Sequence, residues 1–185
     1  MAQPILPLAA ESCYPARVRI GLACAALLCS LASPARAYED QFTLGIGAGY
    51  AHAVSESLPR HGALLDVAGS IGLGAVWSAR ARATYALHPA DEPLHVVLLG
   101  GELLYLIDVV ELVPYFGLGA AGIGRSLAGD TQVDAAAELV LGIDYLVSRE
   151  ITLGLEARPH LLLTELDRDP LYLALSAAVI WMFDR

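Results

Sequence analysis

From Ile151 to Leu163 the chain divides into two sets when alternate residues are read. Ile151, Leu153, Leu155, Ala157, Pro159, Leu161 and Leu163 make an apolar set, while Thr152, Gly154, Glu156, Arg158, His160 and Leu162 make the other, mostly small or polar. A period of two predicts a strand with unlike faces. The pattern recurs. Phe42, Leu44, Ile46, Ala48 and Tyr50 oppose Thr43, Gly45, Gly47 and Gly49; Leu65, Val67, Ile71, Leu73 and Trp77 oppose Asp66, Ser70, Gly72 and Gly74. Ala81, Ala83, Tyr85 and Leu87 oppose Arg80, Arg82, Thr84 and His88; Val97, Leu99, Leu103, Tyr105 and Ile107 oppose Gly100, Glu102 and Asp108. VPYFGLGAAGIG is a weaker, Gly-rich case with Phe116, Leu118 and Ala120 on the apolar side. Leu139, Leu141, Ile143, Tyr145 and Val147 oppose Asp134, Glu138, Gly142 and Asp144, and LYLALSAAVIWMF closes the series. About eight strands follow, each near the 9–11 residues a tilted membrane-crossing strand needs.

The connections alternate too. Those around WSA, VVEL and VSRE are tight, whereas VSESLPRHG, HPADEP, SLAGDTQVD and ELDRDP read as longer loops rich in turn formers. Short turns at one end and longer loops at the other predict an all-β, closed, antiparallel up-and-down transmembrane barrel. A soluble barrel would also alternate, but its polar face would carry bulky solvated side chains; here that face is mainly Gly, Ala, Ser and Thr with scattered charges, which suits a cramped lumen. A membrane helix through LHVVLLGGELLYLIDVV is interrupted by Glu102 and Asp108. The apolar set is therefore expected to face lipid and the polar set the lumen. Tyr50, Trp77, Tyr85, Tyr105, Tyr145 and Trp181 lie near strand ends, as interfacial girdles require.

Composition agrees with export. Ahead of the alternating region, Arg17 and Arg19 precede the apolar run IGLACAALLCSLA and then SPARA. This predicts a secretory signal over 1–37, cut after Ala37, and a barrel domain over 38–185. The apolar run is short for a span of about 20 residues, and Leu28 before Cys29 is too large for a good lipoprotein cleavage site. Cys13, Cys24 and Cys29 all precede the cut, so the mature chain is expected to hold no thiol. The chain has net charge -9 and its basic residues are all Arg without clusters, which argues against a nucleic-acid partner.

The signal, the alternating segments and a last strand ending in aromatic residues resemble the small outer-membrane barrels of the OmpA/OmpX type. The resemblance spans essentially all of the mature chain and is one of pattern, without a diagnostic motif. It implies the outer membrane of a Gram-negative bacterium as location, outer-membrane lipid as surroundings, and the barrel assembly machinery as a partner that reads the final strand through Trp181 and Phe183. Phe183 is followed by Asp184 and Arg185, a departure from a terminal aromatic. No peptidoglycan-binding segment is expected after the barrel.

This facing turns Asp66, Arg80, Arg82, Glu102, Asp108, Glu138, Asp144, Glu156, Arg158 and His160 inward. A buried charge must pair or keep water. The expectation is a network plugging the lumen, in which Arg80, Arg82 and Arg158 are shared among Glu102, Glu138 and Glu156, with Arg158 as hub. A structural or surface-interaction role without catalysis or cofactor follows; a narrow porin-like channel through the same charges and a lipid A-modifying enzyme are the alternatives. For acyl hydrolysis the one local combination is His160, Glu156 and Ser176. His52, His61, His88 and His95 lie near predicted strand ends or loops without metal-ligand spacing. The Gly-rich stretches GIGAG and GLGAAGIG introduce no helix, so nucleotide binding is not expected.

Overall fold

The computed structural model describes residues 41–55, 58–107, 111–164 and 170–183; the expected signal segment and Asp108 lie outside the described residues. Eight strands follow in chain order: β1 (Phe42–Val54), β2 (His61–Gly72), β3 (Trp77–His88), β4 (Leu94–Leu106), β5 (Leu112–Leu127), β6 (Asp130–Leu146), β7 (Ile151–Leu162) and β8 (Leu171–Phe183). Each pairs antiparallel with its neighbours, and β8 returns to β1 from Phe42↔Phe183 to Val54↔Leu171, closing the barrel. Closure satisfies the backbone within the chain and leaves no sheet edge between first and last strands.

The strand ends joined as β2–β3, β4–β5 and β6–β7 gather at one end, here the turn end, with the start of β1 and the finish of β8. The strand ends joined as β1–β2, β3–β4, β5–β6 and β7–β8 gather at the opposite, loop end. One expected loop is absent. SLAGDTQVD is mostly strand, reversed by Ala128 and Gly129 alone, both at positive φ (52° and 90°). A two-residue turn with both φ positive matches the twist of paired strands, which is why it displaced the longer loop suggested by composition. It makes β5 and β6 the longest strands, at 16 and 17 residues.

The outer wall is apolar. Leu65, Leu99, Leu118 and Leu155 are each more than 60% exposed, and Val67, Val97, Leu141 and Leu153 stand in the same phase. No Asp, Glu or Arg occupies an outward-phase position in any described strand. Tyr50 and Tyr85 are exposed towards the loop end; Phe42, Trp77, Phe116, Tyr145 and Phe183 are exposed towards the turn end, where Trp77 meets Tyr105 edge-on at 5.1 Å between centroids. Trp181 is only half-exposed. Pro159 stands within β7; the ladder to β6 skips Leu139 and Val140 opposite it, because proline has no N–H to donate, while the ladder to β8 runs through.

Candidate functional site: a stratified lumen

Alternation carries one side chain in two inward, and inside the barrel these fall into layers. The middle layer is a charged belt. Arg80 and Glu102 are direct cross-strand partners on β3 and β4, joined at 2.5 Å through Nε. Arg82, on the same face, donates to the other Glu102 oxygen at 2.9 Å. From β7, four strands away around the ring, Glu156 accepts from Arg80 at 2.5 Å and forms an ion pair with Arg82 at 2.7 Å without hydrogen-bond alignment, so these contacts cross the lumen. Arg158 reaches Asp66 on β2 at 2.8 Å and Thr84 at 3.3 Å; its Nε lies 3.0 Å from Glu156 as an ion pair without hydrogen-bond alignment. Tyr115 donates to Glu156 at 2.8 Å and its ring lies under the Arg80 guanidinium, 5.5 Å from centroid to carbon. Three arginines face three carboxylates here, and charge-assisted bonds between them stiffen the barrel from within.

Two features of the expected network change. The hub is Glu156, which meets all three arginines and Tyr115, whereas Arg158 meets Asp66, Glu156 and Thr84. Proximity along one strand made Arg158 look central, but contacts across the lumen outnumber those along β7. Asp66 takes the place expected for Glu138, bridging Arg158 and Arg82 (3.3 Å). Glu138 lies instead beside His160, 3.9 Å from its Nδ1, and Glu138 Oε1 finds no hydrogen-bond partner among the described protein groups.

On the loop side of the belt the lumen is apolar. Leu64, Leu94, Val96, Leu98, Ile123 and Leu162 pack with Ala51, Ala86, Ala136, Ala174 and Tyr172 in one buried cluster. Sequence reading missed this layer: in VVLL, Val96 to Leu99, both phases are apolar, so alternation carries no contrast between wall and lumen. His88 enters the cluster through a 3.1 Å bond to the Tyr172 hydroxyl, and His160 packs on the other side of that ring at 6.0 Å. Nearer the loop end, Arg125 and Asp134 form a separate buried pair at 2.5 Å, with Thr164 donating to Asp134.

On the turn side the belt overlooks a cavity of about 60 Å³ lined by Thr43, Ser70, Ser78, Asp144, Thr152 and Tyr115, among others. This is room for roughly four waters, and apolar side chains such as Leu104, Ile180 and Met182 share the lining. Asp144, expected within the network, faces this cavity instead, and its Oδ1 has no hydrogen-bond partner among the described residues. Glycines make the large inward groups possible. Gly142 stands opposite Tyr115 and Gly47 opposite Asp66, and a Cβ at either would collide with that partner.

The catalytic combination is not assembled. Ser176 pairs with Glu156 across β7 and β8, but His160 pairs with Tyr172, four residues along. At about 3.3 Å per residue that is about 13 Å, beyond hydrogen-bond reach. Among the described residues no group of three His, Cys, Asp or Glu is placed to hold a metal ion. At the end of β8, Phe183 is exposed and packs near Phe42 at 6.0 Å between centroids.

No protein-family model matches the chain, and no curated protein does. Solved structures do. Neisserial surface protein A is 18% identical over 78% of this chain and all of its own, with TM-score 0.68. OprG of Pseudomonas aeruginosa gives 11% identity, 80% and 98% coverage and TM-score 0.61. Ail, the attachment invasion locus protein of Yersinia pestis, gives 10%, 78% and 99%, and 0.58. At these identities the likeness is one of architecture: the chain has the fold of the small eight-stranded outer-membrane barrels.

Proposed function

We propose that this protein is a non-conducting, non-enzymatic integral barrel of a bacterial outer membrane, with a structural or surface-interaction role. Its location is supported by an outer wall of exposed Leu, Val, Ile and aromatic side chains without an outward Asp, Glu or Arg in its described strands. Outer-membrane lipid is then its surroundings, and export would use the N-terminal signal. Six residues separate β1 from β2 and eight separate β7 from β8, against four or five at each turn-end connection, which supports placing the loop end towards the cell exterior although the β5–β6 turn there is short. The strand ending in Phe183 is the segment we assign to recognition by the assembly machinery.

The observation that carries the non-conducting reading is the double closure of the lumen. A belt of ion pairs bridges β3 to β7, and a dry cluster around Leu98 and Ile123 lies above it. An ion would have to break the first and dehydrate through the second. Planar-bilayer recording with the refolded protein is expected to show no steady unitary current; reproducible unitary steps would favour a porin-like channel. Lipid A from cells expressing the protein is expected to have an unchanged mass spectrum, and a lost or added acyl chain would favour the enzyme. The surface role belongs to the loop end, where the β5–β6 hairpin carries the 75% exposed Val133. Ail, named for attachment and invasion, shows that a barrel of this fold is compatible with such a role.

A further inference from the structure

The outward phase of the strands contains three histidines, His52, His61 and His95, all at the loop end. His95 is a simple case: its Nδ1 lies 2.7 Å from the Tyr85 hydroxyl, one imidazole on one phenol. His52 and His61 differ. They are direct partners across β1 and β2, and the adjacent pair Ala53–Arg60 is hydrogen-bonded through Ala53 N and Arg60 O at 2.9 Å. Pairs alternate along an antiparallel ladder, so His52 and His61 occupy a non-hydrogen-bonded pair, where side chains approach most closely. Their ring centroids are 5.3 Å apart. Both Nδ1 atoms converge on the hydroxyl of Tyr50, His52 at 3.2 Å and His61 closer.

Three donors of intermediate softness therefore meet around one point at an accessible rim: two imidazole nitrogens and a phenol oxygen. A single hydroxyl proton can serve only one of the two nitrogens, so the other must donate to the same oxygen. A cation would take lone pairs from all three atoms at once in place of those two bonds. We propose that His52, His61 and Tyr50 form a binding site for a hydrated divalent transition-metal ion, with Cu²⁺ held more tightly than Zn²⁺. Exposure of His61 and Tyr50 leaves the remaining coordination positions to water. No other His, Cys, Asp or Glu completes a closed cage among the described residues, which makes the site open and exchangeable. It is separate from the lumen network, because outward and inward phases alternate along β1 and β2.

The test titrates the refolded full barrel in detergent with Zn²⁺ by calorimetry and with Cu²⁺ by electron paramagnetic resonance. The expected result is one ion per chain, with two nitrogens coupled to copper. His52→Ala and His61→Ala should each weaken binding by at least about tenfold, and Tyr50→Phe by a smaller factor. His95→Ala, the matched outward histidine, should bind as the unaltered protein does. All four side chains lie outside the lumen, and a retained β circular-dichroism spectrum will establish folding. Unweakened binding by His52→Ala or His61→Ala, a matching loss in His95→Ala, or a copper signal coupled to one nitrogen would each overturn the proposal.

Discussion

The two closures of the lumen are built from opposite chemistry on the same strands. On β4, Glu102 belongs to the belt, while Leu98 and Val96, a few residues nearer the loop end, belong to the apolar layer. On β7 the change is from Glu156 and Arg158 to Leu162. The belt is specific but fragile: each charge is tolerable because its partners are in place, and removal of one strands the others in a poor solvent. The apolar layer is less specific and degrades more gradually, since a missing methyl group leaves a void and no unpaired charge. Position along the axis therefore decides how the barrel fails.

Glu156→Ala should do the most damage, because it takes a carboxylate from three arginines at once and leaves them only Glu102 and Asp66. A cost of about 3–5 kcal/mol is expected in urea unfolding from lipid vesicles. If Arg158→Ala proves more costly than Glu156→Ala, the hub has been placed on the wrong residue. Leu98→Ala comes next, at about 3 kcal/mol, the sum of lost transfer energy and the cavity it leaves. Leu155→Ala makes the same chemical change on the outer wall, where lipid can fill the space. Only the transfer part remains, about 1–2 kcal/mol; an equal cost at the two leucines would show that the apolar layer is not tightly packed. The smallest effect is that of salt. Raising ionic strength from 0.1 to 1 M shortens the screening length from about 10 to about 3 Å, yet buried belt pairs should lose little, so the difference between Glu156→Ala and the unaltered protein should stay nearly constant. A difference that collapses with salt would mean that water and ions enter the belt freely.

The eight-stranded closed barrel, and which phase faces outward, were legible in the chain. At Glu156, Arg158 and His160 against Leu155, Ala157 and Leu161, polarity changes at every residue, and the inside of a narrow barrel demands that contrast. The extent of the apolar layer was not legible, because Val96 to Leu99 is apolar in both phases and period-two reading has nothing to separate. The β5–β6 connection was misread for a related reason: Ser, Gly, Asp and Thr are turn formers by composition, yet only Ala128 and Gly129 are needed to reverse the chain.

Alternation by itself determined a local property, the phase of each side chain, since successive Cβ atoms point to opposite faces of any strand. Contacts across the lumen and across the ladder were decided only by the closed, registered barrel. Glu156 became the hub because β3 faces β7 across the ring, and His52 met His61 because the β1–β2 register set them opposite each other. Spacing along the chain cannot express either, since each contact depends on the register and curvature by which strands distant in sequence close on one another.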